Sequence, residues 1–149
     1  MSFSSATIDP TKSTTSTEMR VRFCETDLMG VVHHSNYLVY FELGRVDWLR
    51  KRKISYADWT ERGVQTPVAS AELHYRAAAR FDDLLVIETT LSMLRNVSLD
   101  YTYRIRRDTT LIAEGSTRLA CVDRNLKLLR IPEAIRTALL AGETSTSTS

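Results

Sequence analysis

The chain is short of the residues that carry special chemistry on their own: two cysteines, three histidines, three prolines and five glycines in 149 residues. Two cysteines, Cys24 and Cys121, cannot build a disulfide framework. Both sit in apolar, strand-like sequence and read as core packing, so a reduced, cytoplasmic setting is expected. No apolar run approaches the length of a membrane span, and the first residues lack the apolar core of a signal peptide. Charge of one sign is also missing. A net charge of +2 gives no general case for nucleic acid or a membrane surface. Of the three histidines, His33 and His34 are adjacent and His74 lies on a separate strand, so no metal-ligand spacing is present and no metal is expected.

What is there is one ordinary soluble domain, 43% hydrophobic and 26% charged. The Ser/Thr-rich ends, Met1–Glu18 and Glu143–Ser149, are too polar to offset their ordering entropy and read as flexible tails around a core of Met19–Gly142. In that core Met19–Cys24 alternates as a short strand, and Glu25–His34 is a loop containing Gly30. Ser35 or Asn36 can cap a helix that runs to about Lys53. Tyr37, Phe41, Gly44 and Trp48 share one face of it, and Leu38, Arg45 and Leu49 the next. Tyr40, Leu43 and Val46 widen the apolar arc, which predicts a helix surrounded by protein. Gly44, costly in mid-helix, predicts close approach by another backbone.

Ser55–Arg62 reads as a second, short helix stopped by Gly63. The period then changes to two. Val68–Ala78, Leu84–Leu94, Val97–Arg106 and Leu111–Val122 read as strands joined by the short connections Arg95–Asn96 and Arg107–Thr109. Pro132 opens a terminal helix, Glu133–Ala141. The expected architecture is α+β, a five-stranded, mainly antiparallel sheet curled around one long helix.

The chemistry concentrates in Val21–Arg50. Asp27 stands a few residues before the buried helix, where unpaired N–H donors and the macrodipole gather. An acid beside an oxyanion site is what acyl transfer requires, although an Asp between strand and helix can equally be a turn residue. Glu42, inside the helix, reads as a salt-bridge partner of Arg45 or a neighbouring arginine, with a catalytic role as the alternative. The His34 side chain could polarise substrate or water, against plain loop packing.

The run R-F-C-E-T-D-L-M-G-V-V-H-H-S-N-Y followed by Y-F-E-L-G-R resembles the signature of hotdog-fold thioesterases, of the 4-hydroxybenzoyl-CoA thioesterase and Tol-Pal-associated acyl-CoA thioesterase type. The element order matches from about Met19 to Ala141. The resemblance implies that Asp27 is the catalytic carboxylate and that the His34 backbone N–H polarises the thioester carbonyl. It also implies substrate contacts from Gly30, Val32, His33, Asn36, Tyr37 and Glu42, and, from the hairpin of a CoA channel, Arg95 and Ser98. No cofactor is implied beyond CoA as part of the substrate. The family pairs as dimers, sheet edge to sheet edge, often paired again into tetramers, with acyl-CoA sites between protomers. Leu28, Met29 and His33 depart from the usual pattern and point to an altered acyl pocket. The Leu-Met-Gly run also resembles carrier-protein thioesterases of enediyne polyketide pathways; those tend to have Asn where this chain has Asp27, which favours acyl-CoA. A module that binds acyl thioesters without hydrolysing them is the third expectation.

Overall fold

The two-residue alternation of the C-terminal half becomes a twisted sheet in the computed structural model, which describes residues 8–143. After a four-residue helix α1 (Pro10–Ser13), strand β1 (Thr14–Arg20) leads through a 3₁₀ turn at Phe23–Glu25 and a loop to helix α2 (Asn36–Arg50). Helix α3 (Tyr56–Glu61) and strands β2 (Val68–Tyr75), β3 (Leu84–Leu94), β4 (Ser98–Arg107) and β5 (Thr110–Ala120) follow, with helix α4 (Glu133–Leu140) last. All neighbours are antiparallel in the order β1-β3-β4-β5-β2. The expected α+β arrangement is the one formed.

The first strand differs from expectation. Residues 14–18, assigned to a flexible tail, belong to β1, and Arg22–Cys24 lies beyond it. The cause is polar anchoring that a hydrophobic pattern cannot signal. Thr15 is buried and its hydroxyl accepts from Arg52 at 2.7 Å, while Trp48 Nε1 donates to the Ser13 carbonyl at 2.8 Å. Arg52 also donates to the Lys12 carbonyl and lies over the Trp48 ring, 3.7 Å from its centre. Of the C-terminal tail only Glu143 falls among the described residues, and it accepts from the Thr15 hydroxyl at 2.6 Å. Residues 1–7 and 144–149 lie outside them. Cys24, expected in the core, is exposed on the 3₁₀ turn, whereas Cys121 is buried.

Helix α2 lies on the concave side of the sheet. Phe41 stacks on Tyr103 with ring centres 4.2 Å apart, and Trp48 meets Tyr101 edge-on at 5.1 Å. Truncating such a fully buried aromatic to Ala costs roughly 3–5 kcal/mol. Gly44 is needed because a Cβ there would lie 2.8 Å from the Ile87 side chain and closer still to Thr89. The close approach is therefore by β3 side chains and not by backbone. The opposite face of α2 is left open: Leu38, Val39, Leu43 and Val46 are all exposed. Within one chain the helix is half covered, not surrounded.

The two sheet edges are unlike. Along β1, Lys51 Nζ donates to the Ser16 carbonyl and the Thr17 hydroxyl donates to Asp47. Along β2 nearly every residue is exposed, on both faces. Such an edge is a template for pairing.

Candidate active site

Asp27 is held by the chain around it. Its N–H donates to the Val31 carbonyl and its carbonyl accepts from Gly30, both at 2.9 Å. Gly30 adopts φ +78°, a left-handed conformation that glycine takes without strain. Asp27 Oδ1 accepts the Met29 N–H at 2.8 Å, the local bond typical of a turn Asp. Asp27 enters no ion pair among the described residues. Bridges from Thr26 to Val32 and from Val31 to Arg80 close the loop into a small hairpin against the β2–β3 connection.

The second arm of this hairpin leads into α2. His33 donates its N–H to the Glu25 carbonyl, and Asn36 N–H bonds back to the His33 carbonyl, both at 2.9 Å. The His34 N–H donates to no group among the described residues. Ser35 takes the N-cap position, but its hydroxyl pairs with His33 Nδ1 at 2.8 Å instead of capping. The Asn36 side chain turns away from solvent and donates to the Glu25 carbonyl at 2.8 Å. Phe23, Cys24, Asp27, Leu28, His33 and Asn36 border one open groove of about 650 Å³.

The other expected residues divide by place. Val32 is buried and fixes the loop through its N–H on the Ala79 carbonyl at 2.8 Å. Tyr37 is buried edge-on to Tyr40 and Tyr75, and burial pushes its phenol above the ordinary range. Tyr75 in turn donates to the His34 carbonyl at 3.4 Å, so the end of β2 reaches the entry of α2. Glu42 forms no ion pair among the described residues; the expected partner Arg45 turns inward and donates to the Tyr103 hydroxyl at 3.0 Å. Arg95 and Ser98 sit at the hairpin closing β3 and β4. Eleven residues of β3, about 35 Å at strand rise, separate that hairpin from the Asp27 end. Arg95 there pairs with Asp100 at 3.0 Å, which Arg118 also binds at 2.9 Å. Within one chain these two residues are not brought to Asp27. Among the described residues, no three His, Cys, Asp or Glu side chains come together as metal ligands would.

A feature absent from the motif is a second cavity of about 510 Å³ beside the C-terminal half of α2. Leu49, Trp59, Val68, Leu99, Tyr101 and Leu119 line its apolar depth, with Glu42, Arg45 and Arg50 at its polar side. It shares no lining residue with the Asp27 groove. Five elements and two connecting loops contribute to it, so no local pattern announces it.

A curled antiparallel sheet holding one long helix, with a glycine turn presenting an acid at the helix entry, is the hotdog architecture of acyl-thioester enzymes. The signature of the Thioesterase-like superfamily matches residues 21–139, and the chain belongs to that family. It is similar to the acyl-CoA thioester hydrolase YbgC of Escherichia coli, at 34% identity over 119 residues, covering 78% of this chain and 89% of that one. Among solved structures it is similar to the hypothetical protein TT1821 of Thermus thermophilus, at 44% identity and a TM-score of 0.79, covering 83% and 95% of the two chains. It is likewise similar to the DHNA-CoA thioesterase of Staphylococcus aureus, at 31% identity and a TM-score of 0.75, covering 78% and 80%.

Proposed function

We propose that this protein hydrolyses an acyl-CoA thioester to a carboxylic acid and CoA, with Asp27 as the reacting carboxylate and the His34 N–H as oxyanion donor. The observation that carries this reading is the pairing, on one small hairpin, of an acid without a cationic partner and a helix-entry N–H without an acceptor. Asp27 attacks the thioester carbonyl carbon to form a mixed anhydride, expelling the CoA thiolate, and water then cleaves the anhydride to release the acid and restore Asp27. Alternatively, Asp27 takes a proton from a water that attacks the carbonyl carbon directly and displaces the thiolate. In both routes negative charge develops on the carbonyl oxygen. One well-placed donor to that oxygen is worth about 3–4 kcal/mol. The leaving thiol, with a pKa of about 8.5, departs without strong acid help.

The working unit in this reading is a dimer paired through β2. The strand runs from Val68 at the cavity to Tyr75 beside His34. Antiparallel pairing with a second copy sets the Tyr75 end of one chain beside the Val68 end of the other. The acid of one copy then faces the acyl cavity of its neighbour, and Glu42, Arg95 and Ser98 approach the reaction from the second chain. The exposed outer face of α2 suits a further pairing of dimers into a tetramer. The exposed thiol of Cys24 fits a reducing, cytoplasmic setting. CoA enters as substrate, and the proposed chemistry calls on no other cofactor.

The test is thiol release from a panel of short, long and aromatic acyl-CoAs, with one acyl group also supplied on a carrier protein. Hydrolysis of at least one acyl-CoA by the wild type, lost in Asp27→Asn, supports the reading. Preference for the carrier-bound acyl group would reassign the acyl donor. Binding without hydrolysis across the panel would make the protein a thioester-binding module.

A further inference from the structure

The side chain of Asn36 was expected at the substrate or at the helix cap; it borders the Asp27 groove but caps nothing, and its amide is engaged elsewhere. Its Nδ2 donates at 2.8 Å to the Glu25 carbonyl, eleven residues earlier in the chain. The same carbonyl accepts the His33 N–H at 2.9 Å, so one oxygen receives two donors from the start of α2. Glu25 is itself firmly seated. Its carboxylate side chain is only 7% exposed, accepts the Arg22 N–H at 2.7 Å and pairs with the Arg22 guanidinium at 3.3 Å. Beside it lies the buried Tyr40, one helical turn after Asn36; burial first, and then the Glu25 charge, push its phenol far up.

The consequence is geometric. Asp27 follows Glu25 by two residues, on the arm leaving the 3₁₀ turn, and His34 stands on the arm entering α2. The Asn36–Glu25 bond and the His33–Glu25 bond are what tie these arms together at their base. The bond from Asp27 N–H to the Val31 carbonyl closes the tip but leaves the base free to open. A carboxylate and an oxyanion donor must hold a fixed spacing along the reaction, and a displacement near 1 Å costs on the order of 100-fold in rate.

Resting on the catalytic reading above, we propose that Asn36 is a positioning residue that sets the distance between Asp27 and the His34 N–H by clipping the helix entry to the Glu25 carbonyl. It acts through the loop, because its amide nitrogen is committed to the Glu25 carbonyl although the residue borders the groove. Loss of the clip therefore lowers kcat and leaves substrate affinity in place.

The experiment uses the full chain, in Asn36→Ala, Asn36→Gln, Asp27→Asn and the double variant Asp27→Asn/Asn36→Ala, on the best acyl-CoA from the panel. Ala is the strongest helix former and suits the first turn, so Asn36→Ala should unfold within a few degrees of wild type. Its kcat should fall about 10- to 100-fold with KM changed by less than about threefold. Asn36→Gln keeps an amide donor on a longer arm and should recover part of that loss. In the Asp27→Asn background, removing the Asn36 amide should change the residual rate by no more than about twofold, because residues acting as one unit are not additive. A loss carried by KM, or one of equal size in both backgrounds, would overturn the proposal. So would wild-type kcat in Asn36→Ala while Asp27→Asn is inactive, a result that spares the catalytic assignment. Full activity in Asp27→Asn would remove both.

Discussion

The Asp27 groove and the cavity beside Trp59 are opposites in construction. The groove is open, bordered by an acid, a histidine and an amide side chain beside Phe23 and Leu28, all on one fourteen-residue stretch of chain. The cavity is more enclosed and mostly apolar, assembled from α2, α3 and three strands, with one acid, Glu42, and two arginines among its lining. In the proposed reading the groove carries the chemistry and the more enclosed cavity takes the acyl group. Their separation along α2, together with an exposed β2 edge, is why the proposed site draws on two copies. The β1 edge, tied to α2, contrasts with that of β2. There Lys51 occupies the Ser16 carbonyl and Asp47 takes the Thr17 hydroxyl, whereas β2 is exposed along nearly its whole length.

The largest effect should come from emptying the groove of its charge. Asp27→Asn should lower kcat by about 10²–10⁴ with little change in KM, measured by steady-state thiol release. Next is the junction of the two places. Ala71→Lys puts a cation near the middle of β2, where antiparallel self-pairing sets it close to its own copy. Like charges across strands repel, so sedimentation should show monomer and the activity should fall with it. Blocking the cavity comes third. Val46→Phe fills it from an exposed helix position, and kcat/KM for the longest accepted acyl chain should drop about 10- to 200-fold while short chains are spared.

Smaller effects concern stability alone. Gly44→Ala drives a methyl group into Ile87 and Thr89 and should cost about 1–3 kcal/mol, read from denaturant unfolding. At the Arg95 hairpin, burial acts to raise the Asp100 carboxyl, but hydrogen bonds and charge from Arg118 and Arg95 outweigh it and hold the group below its ordinary value. A lowered carboxyl pKa contributes stability above the unfolded value of about 3.9, lost as pH falls through the folded one. Asp100→Asn should therefore lower stability near neutrality and flatten the acid limb of the curve, so that variant and wild type converge as pH falls below about 4.

How far the sequence reveals this molecule depends on whether the signal is local. Strands β3 and β4 bury alternate Leu, Ile and Tyr side chains, so their period is written in order along the chain. Helix α2 is legible for the same reason, from Tyr37, Phe41 and Trp48. Strand β1 was not, because it is Thr14–Arg20, polar in composition, and its order comes from Arg52, Trp48 and pairing with β3. The site splits the same way. The acid–glycine–histidine run placed Asp27, Gly30 and His34 on one loop, since those residues are neighbours in sequence. Asn36 looked like a cap, because its true acceptor is a backbone carbonyl that no side-chain pattern encodes. The Glu42–Arg45 pair, favoured by helical spacing, fails because Tyr103 on β4 draws the guanidinium inward.

The claim on which all of this turns is that the acid and the acyl cavity of one site belong to different copies. Mixing Asp27→Asn chains with Val46→Phe chains under conditions that exchange subunits tests it, with a long-chain acyl-CoA as substrate. If the site is shared, half of the pairs are mixed and each holds one intact site, so two nearly inactive proteins should recover about a quarter of the wild-type rate. If acid and cavity act within the same chain, every site carries a defect, and mixed subunits with no gain in rate would contradict the account.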